Sequence, residues 1–247
     1  MLKKLIVMVF LSVSSYAELD YFLAGSFRSY PIGTAITAEI GKGFKFYEKN
    51  KILYGYLRPA INVQSSALIN QASAQIDFYP VSFLGFYAGR GIGAKSTKKL
   101  QGFDCDVIKC DGGVSKTYFG VNLALAYKKL KFVSYLRRTQ VDLNNHQGYF
   151  AEEFSNLIGL DKDRLTSYTG ILGYDLDAKN FLALLYLSNK MQNTDQSSKM
   201  KMLLYQYRPD KVSYQAALGT FENRVASEHL ALLLMFKWEF EKGVRLF

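Results

Sequence analysis

Past residue 17, this 247-residue chain has no uncharged apolar run near the roughly 20 residues a helix needs to span hydrocarbon. Its first residues nevertheless mark it for export. In MLKKLIVMVFLSVSSYA, Lys3 and Lys4 precede an apolar run from Leu5, and Ser15-Tyr16-Ala17 places small residues at the positions a signal peptidase reads. Residues 1–17 are therefore expected to be a cleaved signal peptide and 18–247 the mature domain. A membrane anchor is the competing reading, but Ser12, Ser14, Ser15 and Glu18 cut the run short. Losing Lys3 and Lys4 lowers the formal charge from +10 to +8. If such an exported chain enters a membrane, it does so as strands.

The C-terminal stretch HLALLLMFKWEF is the most apolar part of the mature chain. With period two, Leu230, Leu232, Leu234, Phe236, Trp238 and Phe240 share one face, and Lys237 and Glu239 share the other. Its Leu, Ala and Met content also suits a buried helix, so this segment alone does not decide. The remainder of the chain does. Aromatics make up 15%, nearly all Tyr and Phe, which favours strands. Period-two segments recur near 19–30, 34–47, 52–65, 68–79, 83–95, 115–127, 130–141, 166–176, 181–190, 199–208, 212–222 and 229–247. Twelve strands are expected, with no composition break to mark a second domain.

Every second connection is a tight turn of Pro, Asn, Asp or Lys, near 48–51, 79–82, 128–129, 177–180 and 209–211. The long connections, near 96–114, 142–165 and 191–198, all have the opposite parity. A soluble sandwich has no reason to segregate loop length in this way. Signal peptide, alternating strands, one-sided loops and terminal Phe247 together resemble the outer-membrane β-barrel proteins of Gram-negative bacteria. The resemblance implies an all-β, antiparallel up-and-down transmembrane barrel in the bacterial outer membrane, with outer-membrane lipids and the barrel assembly machinery as partners. It also implies that Phe247 is the assembly signal, although Gly243 and Arg245 interrupt the apolar alternation the family carries there.

On these registers the lumen candidates are Lys45, Tyr54, Tyr56, Arg58, Asp77, Arg90, Lys237 and Glu239, with Arg138 or Lys131 from the seventh strand. Lys42 falls on the lipid side with Ile40 and Phe44, which calls for a rim position or a bulge at Gly41 or Gly43. Twelve strands enclose a lumen between a side-chain-filled core and a wide channel. The function expected is thus a narrow channel or porin passing small anionic solutes, since Arg grips carboxylate or phosphate with a planar fork. Internal Lys/Arg–Asp/Glu pairing that fills the lumen is the competing reading. It leads to a non-conducting barrel acting through its external loops.

Other chemistry is thinly signalled. Cys105 and Cys110, in GFDCDVIKCDGG of an exported chain, are expected to form a disulfide; no histidine lies nearby to support metal binding. Gly85, Gly89, Gly91 and Gly93 lack the Lys-Ser/Thr and helix of a phosphate loop, so no cofactor is expected. No nucleic-acid reader motif accompanies the basic excess. Barrel phospholipases and lipid A deacylases use a His with Ser or an acid. Here only His146, in NNHQG, and His229, in ASEHL, are available, and the phospholipase pattern around them is absent, so no enzyme is expected. In GYFAEEFSNLIGLDKDRL, Phe150, Phe154, Leu157 and Ile158 have helical spacing and predict a short loop helix.

Overall fold

The computed structural model describes residues 17–50, 52–66, 68–144 and 146–244. The expected signal peptide and Phe247 lie outside the described residues, apart from Ala17. Strands β1 (Ala17–Ser29), β2 (Ile32–Glu48), β3 (Tyr54–Ser65), β4 (Ile69–Val81), β5 (Leu84–Lys95), β6 (Gly112–Tyr127), β7 (Leu130–Leu143), β10 (Asp163–Asp175), β11 (Asn180–Met191), β12 (Ser197–Tyr207), β13 (Val212–Asn223) and β14 (Ala226–Glu241) pair antiparallel in one closed ring. A two-stranded hairpin, β8 (Tyr149–Glu152) and β9 (Leu157–Leu160), is inserted between β7 and β10. Each wall strand pairs with the wall strands beside it in sequence, and β1 closes on β14, so the sheet has no exposed edge.

The turns fall where local chemistry puts them. At the β2–β3 turn, Asn50 Oδ1 accepts from the backbone N–H of Ile52 (3.0 Å) and of Leu53 (2.7 Å). At the β10–β11 turn, Asp177 accepts from the N–H groups of Lys179 and Asn180 and from the Asn180 amide. Those donors hold the Asp177 carboxyl below its usual range. The opposite end of the barrel carries the long connections 96–111 and 144–162.

The outer face is an apolar belt. Leu172, Leu184, Leu203 and Leu218 make one row across β10 to β13, and Leu230, Leu234 and Trp238 line β14. Exposure of so many large apolar side chains fits a wall surrounded by hydrocarbon.

Three expectations are corrected. The segment expected to be a helix is the β8–β9 hairpin: Asn156 takes φ 56° in its turn, and Gly159 lies against the Phe150 ring where a side chain would clash. Phe150 and Leu157 are fully buried on this hairpin instead of on a helical face. The last strand stops at Glu241 rather than running to 247, because Gly243 (φ 56°) turns the chain inward and buries Val244 among Tyr54, Tyr56 and Tyr79. Lys42 lies exposed on the outer face with Nζ 5.6 Å from the Phe44 ring centroid, and the bulge falls at Lys45/Tyr47, not at the glycines. Gly41 and Gly43 face inward, where a Cβ would strike the Arg58 guanidinium and Val244 respectively.

Candidate functional site

The interior divides into two sectors. On β11 to β14, Ala183, Leu185, Met200, Met202, Leu204, Ala217, Phe221 and Ala231 form a buried apolar cluster against the inside of the wall. Along the middle of these strands both faces are apolar, so their inner side is packed core. On β1 to β6 the interior is polar and charged.

The periplasmic part of that polar sector is closed. Arg58 on β3 donates from Nε and Nη2 to both carboxylate oxygens of Asp20 (2.8 and 2.6 Å), from Nη2 to Glu39 (2.7 Å) and from Nη1 to Asp77 (2.9 Å). Alternation on four adjacent strands brings these side chains to one point. The planar five-donor fork suits Arg for the junction, where the point charge of Lys would not. Below it, Tyr54, Tyr56 and Tyr79 pack with Val244. The Tyr56 and Tyr79 rings stack at 4.5 Å, Tyr54 donates to the Val244 carbonyl (3.1 Å), and the Asn122 amide donates to the Tyr79 oxygen (2.9 Å). Arg58 and Tyr56 are each only 1 % exposed, so side chains fill this part of the sector.

Above this floor lies a chamber of about 380 Å³, lined on its polar side by residues that include Glu39, Asn62, Gln71, Lys116, Arg137 and Glu152. Its two prominent cations differ in commitment. Lys116 Nζ lies 3.5 Å from Glu152 and 5.2 Å from the Phe154 ring centroid. Arg137 packs its guanidinium 3.6 Å from the Tyr118 ring centroid, and its buried Nε makes no hydrogen bond.

The hairpin forms the roof. Glu152 accepts from the Ser155 N–H (2.9 Å) and hydroxyl (2.6 Å). Burial alone would raise its carboxyl, but Lys116, the Ser155 donors and Lys95 outweigh that and hold it below its usual range. Lys95 Nζ donates to the Ala151 carbonyl (2.6 Å) and pairs with Glu153. Cys105 and Cys110 form the expected disulfide, with an Sγ–Sγ distance of 2.08 Å. Within that ring, Lys109 exchanges backbone hydrogen bonds with Tyr149 and Ala151, so the cysteine loop clasps β8. Gln64 and Phe154 line both the chamber and a second cavity of about 430 Å³, which is bounded by the β1–β2 end, the 96–111 loop and the hairpin tip. The two spaces adjoin at Phe154 on the external side.

The sequence candidates are placed unevenly. Tyr54, Tyr56, Arg58 and Asp77 meet in the floor, while Lys45, paired with Glu18 (3.0 Å), and Lys237, paired with Glu239 (2.7 Å), sit nearer the periplasmic rim. Arg90 and Arg138 are corrected: both point outward, Arg90 with Ala88 and Ile92, Arg138 with Leu136. A strand turns alternate residues to opposite faces, so in the pair Arg137-Arg138 it is Arg137 that enters the chamber. Lys116 and Glu152 were not singled out from sequence; alternation from Tyr118 marks Lys116, but nothing local marks Glu152. His146 meets the Tyr149 carbonyl (3.2 Å) in its loop, and His229 stacks on Tyr30 (4.4 Å) at the external rim. No group of three or more His, Cys, Asp or Glu suited to a metal occurs among the described residues.

No family model matches the chain, and no curated protein matches it. Among solved structures it is similar to OmpT, an outer membrane protein of Vibrio cholerae (9% identity, 92% of this chain and 100% of that one, TM-score 0.43). It is also similar to the NanC porin (11%, 88% and 97%, TM-score 0.45) and to LpxR from Salmonella typhimurium (10%, 88% and 99%, TM-score 0.42). The closed ring of twelve antiparallel strands, with its apolar belt outside, is the architecture of a β-barrel that crosses a membrane with its strands.

Proposed function

We propose that this barrel takes a small anionic solute from the external side into a dead-end chamber, and that it does not form a continuous pore. The observation that carries the reading is the floor, where Arg58 and Tyr56 are each 1 % exposed and Arg58 makes four hydrogen bonds to Asp20, Glu39 and Asp77. Anion preference rests on Arg137, whose Nε has no partner, and on Lys116 beside it in the chamber. An incoming carboxylate or phosphate would find a charged donor in a partly desolvated space, where such hydrogen bonds are strong. The acids of the chamber are engaged: Glu39 by Arg58, and Glu152 by Ser155 and Lys116.

A narrow anion channel uses the same two cations and requires the floor to open. Single-channel recording of purified wild-type protein in a planar bilayer separates the two readings. Electrical silence, with calorimetric binding of a small dicarboxylate or phosphate that is lost in Arg137→Gln, is the expected result. Steady conductance with an anion-selective reversal potential from the wild type would overturn it and support the channel.

A further inference from the structure

The apolar row Leu172, Leu184, Leu203 and Leu218 is between 49% and 63% exposed on the outer wall. One pleat further toward the external end, its character changes abruptly. Lys201 and then Lys199 follow Leu203 on the same face of β12, opposite Tyr186 and Ser188 of β11. On β7, Arg138 follows Leu136 in the same way, with Thr166 of β10 and then Lys190 of β11 in its lateral row. These cations therefore stand at the edge of the hydrocarbon belt, on its external side, among hydroxyl-bearing neighbours.

Their charges are incompletely offset by the protein. Lys190 pairs with Asp195 (2.6 Å), and Asp142 is taken by Lys162 (3.2 Å). Arg138, Lys199 and Lys201 make no ion pair among the described residues, and Glu222, the register partner of Lys199, is left to offset one charge. A cation on a lipid-facing wall is tolerated when its head reaches an anion or water at the interface while its stem covers apolar surface. Lys199 and Lys201 are about 7 Å apart along one strand; Arg138 lies three strand spacings to the side, about 14 Å, and its row reaches β12 at Ser197, one pleat beyond Lys199. That leaves two separated cationic seats on one continuous face.

We propose that Arg138, Lys199 and Lys201 bind the phosphates of a phosphorylated lipid headgroup in the external leaflet. Charge complementarity selects this occupant. The adjoining leucine row would take its acyl chains, so headgroup and tail are recognised by neighbouring bands of the same wall. The site faces outward and does not depend on what the chamber binds.

The test uses the purified full barrel in phosphatidylcholine nanodiscs doped with diphosphorylated lipid A or with its phosphate-free counterpart. Lipid retained through mild delipidation is counted by native mass spectrometry. Wild type should retain the phosphorylated form selectively. Losing about fivefold in affinity per cation, the Arg138→Gln/Lys199→Gln/Lys201→Gln variant should bind it about a hundredfold more weakly. Inorganic phosphate at equal concentration should not displace the lipid. Gel mobility before and after heating verifies that the variant is folded, and Lys49→Gln, at a periplasmic turn, serves as a charge control. Equal retention of both lipids by wild type, or equal retention by wild type and a folded triple variant, would overturn the site. Displacement by free phosphate would do the same for the lipid assignment.

Discussion

Replacing Arg58 with Ala removes the guanidinium shared by Asp20, Glu39 and Asp77. The Arg58 side chain is 2% exposed and those of the three acids are 0%, 17% and 8%, so water screens the cluster little. Four charge-assisted hydrogen bonds disappear, and the buried carboxylates of Asp20 and Asp77 lose the guanidinium that offsets them. Breaking a buried ion pair from one side costs about 3 to 5 kcal/mol, mostly through the stranded charge. The same substitution deletes the side chain that fills the bore beneath the chamber. Two readouts should thus move together: urea unfolding of the barrel in lipid vesicles should lose about 3 to 5 kcal/mol, and a silent wild type should gain ion conductance. Arg58→Lys, which restores charge without the fork, should recover only part of the stability. If Arg58→Ala unfolds within about 1 kcal/mol of wild type and remains silent, the cluster neither holds the floor together nor seals it.

The hairpin offers a pH test. Its Glu152 carboxyl titrates below the ordinary 4.5 when docked, so docking is stabilised above that pH and the contribution is lost as pH falls through the lower, docked value. Protease nicking at 153–156 should accordingly rise below pH 4.5, and Glu152→Gln should abolish that dependence. Reducing the Cys105–Cys110 ring should cost the local loop about 2 kcal/mol by chain entropy and loosen β8, which Lys109 clasps, while heat-induced gel mobility of the barrel stays unchanged. Gly43→Leu should evict Val244 from the tyrosine cluster and lower folding yield, with a loss of about 1 to 3 kcal/mol in urea unfolding.

Strand alternation made the wall legible from sequence. Twelve segments, their turns and the outward face of β14 follow from period two and turn chemistry, and apart from the early stop of β14 the observed ends differ from the expected ones by at most three residues. The floor was partly legible because Tyr54, Tyr56 and Arg58 share a face on a strand with clean alternation. Their meeting with Asp20 was not, since it depends on the register of β1 on β2, and that with Val244 depends on ring closure and on the inward turn at Gly243. Arg90 misled because the glycines around it have no side chains to vote for a face, and Arg138 because two adjacent arginines fit either register. The hairpin escaped because four apolar residues at spacings of four, three and one suit a helix as readily as two short strands. What selects the strands is a backbone partner, Lys109, some forty residues earlier in the chain.

The apolar inner side of β11 to β14 bears on the journey that precedes insertion. A strand with one wet side can shelter as half of a transient sheet in the periplasm, but segments greasy on both sides have no orientation that satisfies water. Until hydrocarbon and the opposite wall are both present, the middle of these four strands has no side that water satisfies.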